Sequence, residues 1–263
     1  MGVYKDQISI KGKQVDVNAV KIEDKAFVVK GSLLKIATLK AEDEADIDNP
    51  SAIVAELAKS GLGADILSFR QRIPDCEPKF KDYEMEWDNF AVIPISSYEH
   101  WWDKQIRFKA RNKFRKAEKS GITIQQVPFS DDLMRGLMEV YNENPIRQGR
   151  PFWHYGKDFE TVKRENSTYL DSCYFIAAYN GPELIGMVKF VNYGNYASIM
   201  QIISKIKDRD KAPNNGLIAK CVEVCANAGI PYFIYANYIY GKKGADNITE
   251  FKESAGFEKF DVP

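Results

Sequence analysis

The stretch from residue 197 onward constrains this chain most. An apolar, β-prone run at 197–203 passes into a basic, proline-broken loop at 205–215, Lys-Ile-Lys-Asp-Arg-Asp-Lys-Ala-Pro-Asn-Asn, and directly into an amphipathic helix ended by Gly229. A second apolar strand follows at 232–235, and then Phe251-Lys-Glu-Ser-Ala-Gly-Phe257. That order sets several cations beside the free N–H groups of a helix start, which suits an anionic, phosphate-bearing ligand.

At 263 residues and 44% hydrophobic content the chain can bury one large core or two small ones. We read two. Thirty-seven basic residues balance 37 acidic ones, so attraction to phosphate or nucleic acid must come from local clusters. The start lacks an apolar leader, and no apolar run approaches the roughly 18 to 20 residues of a membrane span. The expectation is a cytoplasmic protein without a membrane span. Cys76, Cys173, Cys221 and Cys225 are too scattered for a disulfide framework. Cys221 and Cys225 read as core thiols, and no metal is expected. No P-loop, dinucleotide fingerprint, zinc spacing or Ser/His/Asp order is present.

Alternating apolar residues around Ile8, Val15, Val17, 27–29 and 33–39 predict strands, with a helix from Asn49-Pro50 to Gly61 and further strands at 64–69 and 90–94. One long helix is predicted over 97–120, burying Trp102, Ile106, Ala110, Phe114 and Ala117. Its other face carries Lys104, Arg107, Lys109, Arg111, Lys113, Arg115, Lys116 and Lys119 against the single acid Glu118. That face is either simply solvated or tracks phosphates of RNA or a nucleotide. A strand at 122–127, helices at 131–142 and 159–168, and two apolar runs around Asn180-Gly181-Pro182 follow. Those runs make a hairpin that leads to the strand at 196–203.

Strand, two helices, three antiparallel strands, helix, strand, helix resembles the GNAT acyltransferase fold. Arg115-Lys-Ala-Glu-Lys-Ser-Gly-Ile122 resembles the basic helix that joins the two GNAT-like halves of Fem-type (FemAB-like) aminoacyl transferases. Phe251-Lys252 ahead of Gly256-Phe257 resembles the Phe-Lys pair near the end of their second half. The likeness covers about 100–263, and for 1–100 it is an order of elements only. It implies an α/β (α+β) tandem GNAT-like fold with mixed central sheets flanked by helices. The divisions are a degenerate N-terminal half at 1–97, a basic connecting helix at 98–121 and a C-terminal half at 122–263. It implies an N-acyltransferase that moves an acyl or aminoacyl group from acyl-CoA (acetyl-CoA) or aminoacyl-tRNA to a small amine or peptide-like acceptor. The donor would lie between the parted fourth and fifth strands of the second half. The alternative is a non-catalytic RNA- or nucleotide-binding protein that keeps the fold. Oligomeric state is not readable.

Two departures bear on the donor. The loop lacks the Gln/Arg-x-x-Gly-x-Gly/Ala cradle of acetyl-CoA-dependent relatives, and Gly216 is its only glycine. Lys205, Lys207, Arg209, Lys211, Asn214 and Asn215 are its remaining donor-binding candidates. Lys252 stands where many such enzymes place a tyrosine acid. Only a few residues remain after Phe257 for a closing strand, so the chain is truncated or ends on an exposed edge.

Amine acylation needs a proton acceptor, a dipole for the developing oxyanion and a donor clamp. Glu143 and His154, in the segment 143–155, are the candidates for the first, and each has a purely structural alternative. Tyr240 is a candidate acid. Arg147 with Arg150, and Tyr238, Lys242 and Lys252 beyond the last apolar strand, are candidate substrate contacts. An RNA-binding role would instead depend on Arg107, Arg111 and Arg115.

Overall fold

The computed structural model describes residues 2–10, 13–41, 45–240 and 247–263. It divides into two compact units, Met1–Trp87 with Val262–Pro263, and Asp88–Asp261.

In the first unit, β1 (Tyr4–Ile10), β2 (Lys13–Ile22), β3 (Lys25–Lys30) and β4 (Ile36–Leu39) form an antiparallel meander. Helix α1 (Pro50–Lys59) starts as its sequence dictates: Pro50 needs no N–H partner, and the Asn49 side chain accepts from the Ala52 N–H. β5 (Ile66–Leu67) then returns parallel to β4 through two residue pairs, Ile36↔Ile66 and Ala37↔Leu67. Ile22, Phe27 and Leu39 of the sheet and Ile53 and Leu57 of α1 make the core. β4 begins later than expected. The turn at Gly31, with φ of 95°, carries Leu33 and Leu34 into solvent.

The second unit opens with β6 (Asp88–Pro94). The single helix expected at 97–120 is two helices: α2 (Tyr98–His100), continued by a π-turn at Trp101–Gln105, and α3 (Phe108–Lys119). The Ile106 N–H reaches back five residues to the Trp101 carbonyl, and Ile106 and Arg107 are extended. Bonds outside the helix hold the break: Gln105 donates to the Pro94 carbonyl and the Arg107 N–H to that of Ser254. A periodic apolar stripe reads through such a break, because only two residues leave helical geometry. It also moves the buried tryptophan by one position, so Trp101 is fully buried and Trp102 only half.

After β7 (Ile122–Val127) come α4 (Asp131–Asn142), a two-residue hairpin of β8 (Ile146–Arg147) and β9 (Arg150–Pro151), and α5 (Phe159–Asn166). The meander β10 (Cys173–Asn180), β11 (Glu183–Asn192), β12 (Ala197–Ser204) leads to α6 (Pro213–Asn227), β13 (Tyr232–Asn237), α7 (Asn247–Ser254) and β14 (Glu258–Val262). Their sheet runs β14-β6-β13-β12-β11-β10-β7. The few residues after Phe257 do form a closing strand: β14 lies at one edge of the sheet, and its neighbour β6 comes from far earlier in the chain.

β11 is buried on both faces, as a central strand must be. Val188 and Phe190 face α3 and α6, where Phe114, Ala117, Leu217, Cys221 and Cys225 lie. Met187 joins Leu133, Leu137, Tyr141 and Val162 of α4 and α5 on the other side. The sequence meander, helix, two-pair parallel strand thus occurs in both units. Among the described residues of the first unit, α1 is the one helix.

Candidate active site

β12 and β13 pair only through Ala197↔Phe233 and Ser198↔Ile234, and then part. The cause is local. Ala236 sits in the left-handed region at φ of 44°, and the register against β6 slips between Ile234 and Asn237. A left-handed alanine costs about 1–2 kcal/mol, so the bulge is held by its surroundings. The side chain of Asn237 donates to Asp88, and the Ile239 N–H donates to the Asn89 side chain at 2.6 Å. Lys252 of α7 reaches this end of β13. Its ammonium is fully buried, donates to the Asn237 carbonyl at 2.5 Å, and lies 4.6 and 4.4 Å from the ring centres of Tyr235 and Tyr240. Burial pushes the Tyr235 hydroxyl up, with Tyr240 adding to it, and burial followed by Glu253 does the same for Tyr238. Both phenols stay protonated at neutral pH. Lys242 lies outside the described residues.

At the end of β12 the basic loop is shaped by carboxylates of its own chain. Glu143, just past α4, accepts from the N–H groups of Ile206 and Lys207 at 2.6 and 2.9 Å. It also meets Arg147 at 3.2 Å. Arg147 donates to the carbonyls of Ser204 and Val140, so it ties α4 to the end of β12. Burial lowers its pKa from the ordinary guanidinium value, although Glu143 opposes the shift. Glu183 takes Lys205 at 2.5 Å and Lys207 at 2.7 Å, and their hydrogen bonds hold its carboxyl down at about 2. Lys211 pairs with Asp208 at 2.8 Å. Of the four cations expected to await a phosphate, only exposed Arg209 has no carboxylate partner among the described residues.

α6 starts without a side-chain cap, on Pro213 after a left-handed Ala212. Beside it, Asp208 Oδ2, Asn214 Oδ1 and Asn215 Nδ2 are buried and make no hydrogen bond among the described residues. Gly216 is not part of a cradle. It lies in the first turn of α6, where a Cβ would collide with Ile124 of β7 and crowd Ala117 of α3.

His154 is buried in the loop between β9 and α5, stacked on Tyr141 at 4.2 Å and against Trp153 at 3.6 Å. Burial first, then Lys157 and Arg147, push its pKa down to about 3, so the imidazole is neutral and weakly basic at physiological pH. Its Nδ1 lies 3.2 Å from the Lys157 ammonium, which Glu165 holds at 2.7 Å. The Tyr141 hydroxyl in turn bonds Gln201 on β12. Arg150 is exposed while Arg147 is drawn inward, so the two do not serve one clamp. On the basic face, Arg107 pairs with Glu253, Arg111 donates to the Asp103 carbonyl, and Arg115 lies 6.0 Å from the Trp102 ring.

Sequence reading passed over Glu183, Asp208, Tyr141, Gln201 and Lys189. Glu183 had a signal. The pairing Gly186↔Ser204, continued outward, sets Glu183 opposite Lys207. Lys189, a lone cation in an apolar strand, is fully satisfied by the Asn166 carbonyl and by Thr168, where it closes α5.

No family model matches the sequence, and no curated protein matches it. Solved structures do. The C-terminal domain of a protein assigned as a lysylphosphatidylglycerol synthetase in Agrobacterium fabrum superposes with a TM-score of 0.62 at 14% identity, over 94% of this chain and 82% of that one. FemX superposes at 0.55 and 11% identity, over 99% and 88%. A tandem GNAT protein from the clavulanic acid biosynthesis pathway gives 0.53 and 12%, over 94% and 80%. The fold is therefore the tandem GNAT-like, Fem-type arrangement. At these identities the fold is what is shared.

Proposed function

We propose that the chain is an N-acyltransferase whose donor is an aminoacyl-RNA and whose acceptor is a primary amine. The observation that carries this reading is the wedge between β12 and β13, opened after two residue pairs, with the buried Lys252 ammonium at the end of β13. An amine nitrogen attacks the ester carbonyl carbon of the donor, a C–N bond forms, and the C–O bond to the ribose breaks. The amine proton leaves to solvent and the ribose oxygen is reprotonated. Lys252 stabilises the oxyanion of the intermediate. A fixed cation in a water-poor site contributes on the order of 10²–10³ in rate.

The loop favours aminoacyl-RNA over acyl-CoA. The backbone donors at 206 and 207 are already closed by Glu143, and Lys205, Lys207 and Lys211 by Glu183 and Asp208, so a pyrophosphate would have to displace three carboxylates. The polar atoms left beside α6 are two acceptors and one amide donor, a set that fits sugar hydroxyls or a base edge better than phosphate. Glu143 then acts as a positioning residue for the loop. Neutral His154 and the Tyr141–Gln201 pair are proposed to line the acceptor side.

The test is transfer of a labelled aminoacyl group from mixed aminoacyl-tRNA, or of acetyl from acetyl-CoA, to a panel of amines. Transfer from aminoacyl-tRNA alone is expected. Transfer from acetyl-CoA alone would reverse the donor assignment, and no transfer together with tight RNA binding would make the non-catalytic reading the better one.

A further inference from the structure

We infer that the exposed face of α3 is a docking track for the phosphate backbone of a structured RNA; this rests on the aminoacyl-RNA reading above and extends it to where the body of the donor lies. Helix α3 carries six cations and one acid in twelve residues, Phe-Lys-Ala-Arg-Asn-Lys-Phe-Arg-Lys-Ala-Glu-Lys, in a chain whose charges sum to zero. The arginines near it are engaged: Arg107 by Glu253, Arg111 by a carbonyl, Arg115 over Trp102. The lysines are not. Lys109, Lys113, Lys116 and Lys119 are all exposed and none has an ion-pair partner among the described residues. At 100° per residue they fall within one third of the helix circumference, over a length of about 15 Å. Asn112 lies among them and is exposed.

The track begins at the wedge. Arg107, which precedes α3, donates its N–H to Ser254 and its guanidinium to Glu253, the residues that follow Lys252 on α7. An RNA whose 3′ end enters beside Lys252 would therefore pass along α3. Charge alone does not choose between RNA and an anionic membrane, but the apolar residues do. A membrane-lying helix inserts an apolar face beside its basic one. Here Ala110, Phe114 and Ala117 are buried in the core, which leaves Phe108 as the one exposed apolar side chain on α3. Unpaired lysines at helical spacing, with no apolar face to insert, match a polyanion held through its phosphates.

The experiment measures binding of deacylated bulk tRNA by fluorescence anisotropy between about 50 and 300 mM KCl, for wild type and for K109Q/K113Q/K116Q/K119Q. A second variant of equal charge, K5Q/K21Q/K30Q/K81Q, removes four exposed lysines elsewhere, and thermal unfolding confirms that both fold. Loss of four phosphate contacts is expected to flatten the log–log salt slope by about 3 to 4 and to weaken binding on the order of 100-fold at low salt. The control variant should keep the wild-type slope. Equal slopes in all three proteins, or equal losses in the two variants, would overturn the track. So would lysine-dependent binding to vesicles of neutral and anionic phospholipid that tRNA does not compete away. Transfer measured on the same proteins separates the two claims. Wild type that transfers while its tRNA binding ignores the α3 lysines leaves the function standing without the track; lysine-dependent tRNA binding without transfer leaves the track without the function.

Discussion

Glu143 and Ile206 lie 63 residues apart, and a 2.6 Å hydrogen bond from the Ile206 N–H to Glu143 Oε2 makes them neighbours. With Lys207 and Arg147 the carboxylate has three partners at the junction of α4 and the basic loop: two backbone N–H groups and a guanidinium that also binds two carbonyls. Glu143→Ala would leave those donors unmet in a partly buried site, at a cost of about 1–3 kcal/mol. Urea unfolding should show that loss, with Glu143→Gln intermediate because its amide oxygen still accepts. An alanine variant as stable as wild type would mean the loop does not depend on this contact.

Glu183 holds two cations, the buried Lys205 and the exposed Lys207. Glu183→Gln should release Lys205 and Lys207 and tighten binding of any polyanion, with a steeper salt slope. Equilibrium binding of heparin or tRNA reads this directly. Unchanged affinity and slope would show that these lysines are turned away from solution ligands.

Two groups, His154 and Glu183, contribute to the acid limb of stability in different pH ranges. His154 has a folded pKa of about 3 against an unfolded value near 6.5, so below pH 6.5 the unfolded chain takes up a proton that the native imidazole refuses. Stability then falls with pH, from 6.5 toward 3, at up to about 1.4 kcal/mol per pH unit. Glu183 is held at about 2, and its contribution is present above pH 4.5 and lost as pH falls toward 2. Thermal unfolding at pH 7.5 and 5.5 should therefore show a drop that His154→Gln reduces and Glu183→Gln leaves alone. The same drop in both variants would place the effect elsewhere.

Ala212 and Ala236 adopt left-handed backbone at the two ends of the wedge, with φ of 52° and 44°. Ala212→Gly removes that strain and adds unfolded-state entropy, so stability should change by less than about 1 kcal/mol or rise. Ala219→Gly, inside α6, should cost about 1 kcal/mol. Equal losses at both sites in chemical denaturation would be incompatible with a left-handed Ala212.

Lys252→Met keeps the length of the side chain and removes its charge. Turnover should fall on the order of 10²–10³ while tRNA affinity stays near wild type. A parallel loss of both would make Lys252 a binding residue and not a stabiliser of the intermediate.

The second half was legible because its signals are local. Asn180-Gly181-Pro182 fixed a hairpin, Gly229 ended a helix, and β11 read as an apolar run because both its faces are covered. The break at Ile106 was not legible, since it is held by Pro94 on the preceding strand and by Ser254 near the far end of the chain. The same limit governed the site. Composition at 205–211 announced cations, but whether a cation is free depends on carboxylates that the fold delivers, and Glu143 arrives from another helix. Burial likewise turned His154 from a base near neutrality into a neutral ring, and nothing in its neighbours' identities measures burial.

The placing of β6 has a consequence for biosynthesis. Asp88 meets Asn237, 149 residues later, and the other neighbour of β6 in the sheet is β14. On a ribosome adding about 5–20 residues per second, this apolar strand emerges with neither edge covered and waits on the order of 10–30 s for its first partner. Pairing at such separation is slow to nucleate even afterwards. A nascent chain stalled between β6 and β13 would expose Phe-Ala-Val-Ile to its neighbours, which makes this interval the point at which chaperone dependence and co-translational aggregation should concentrate.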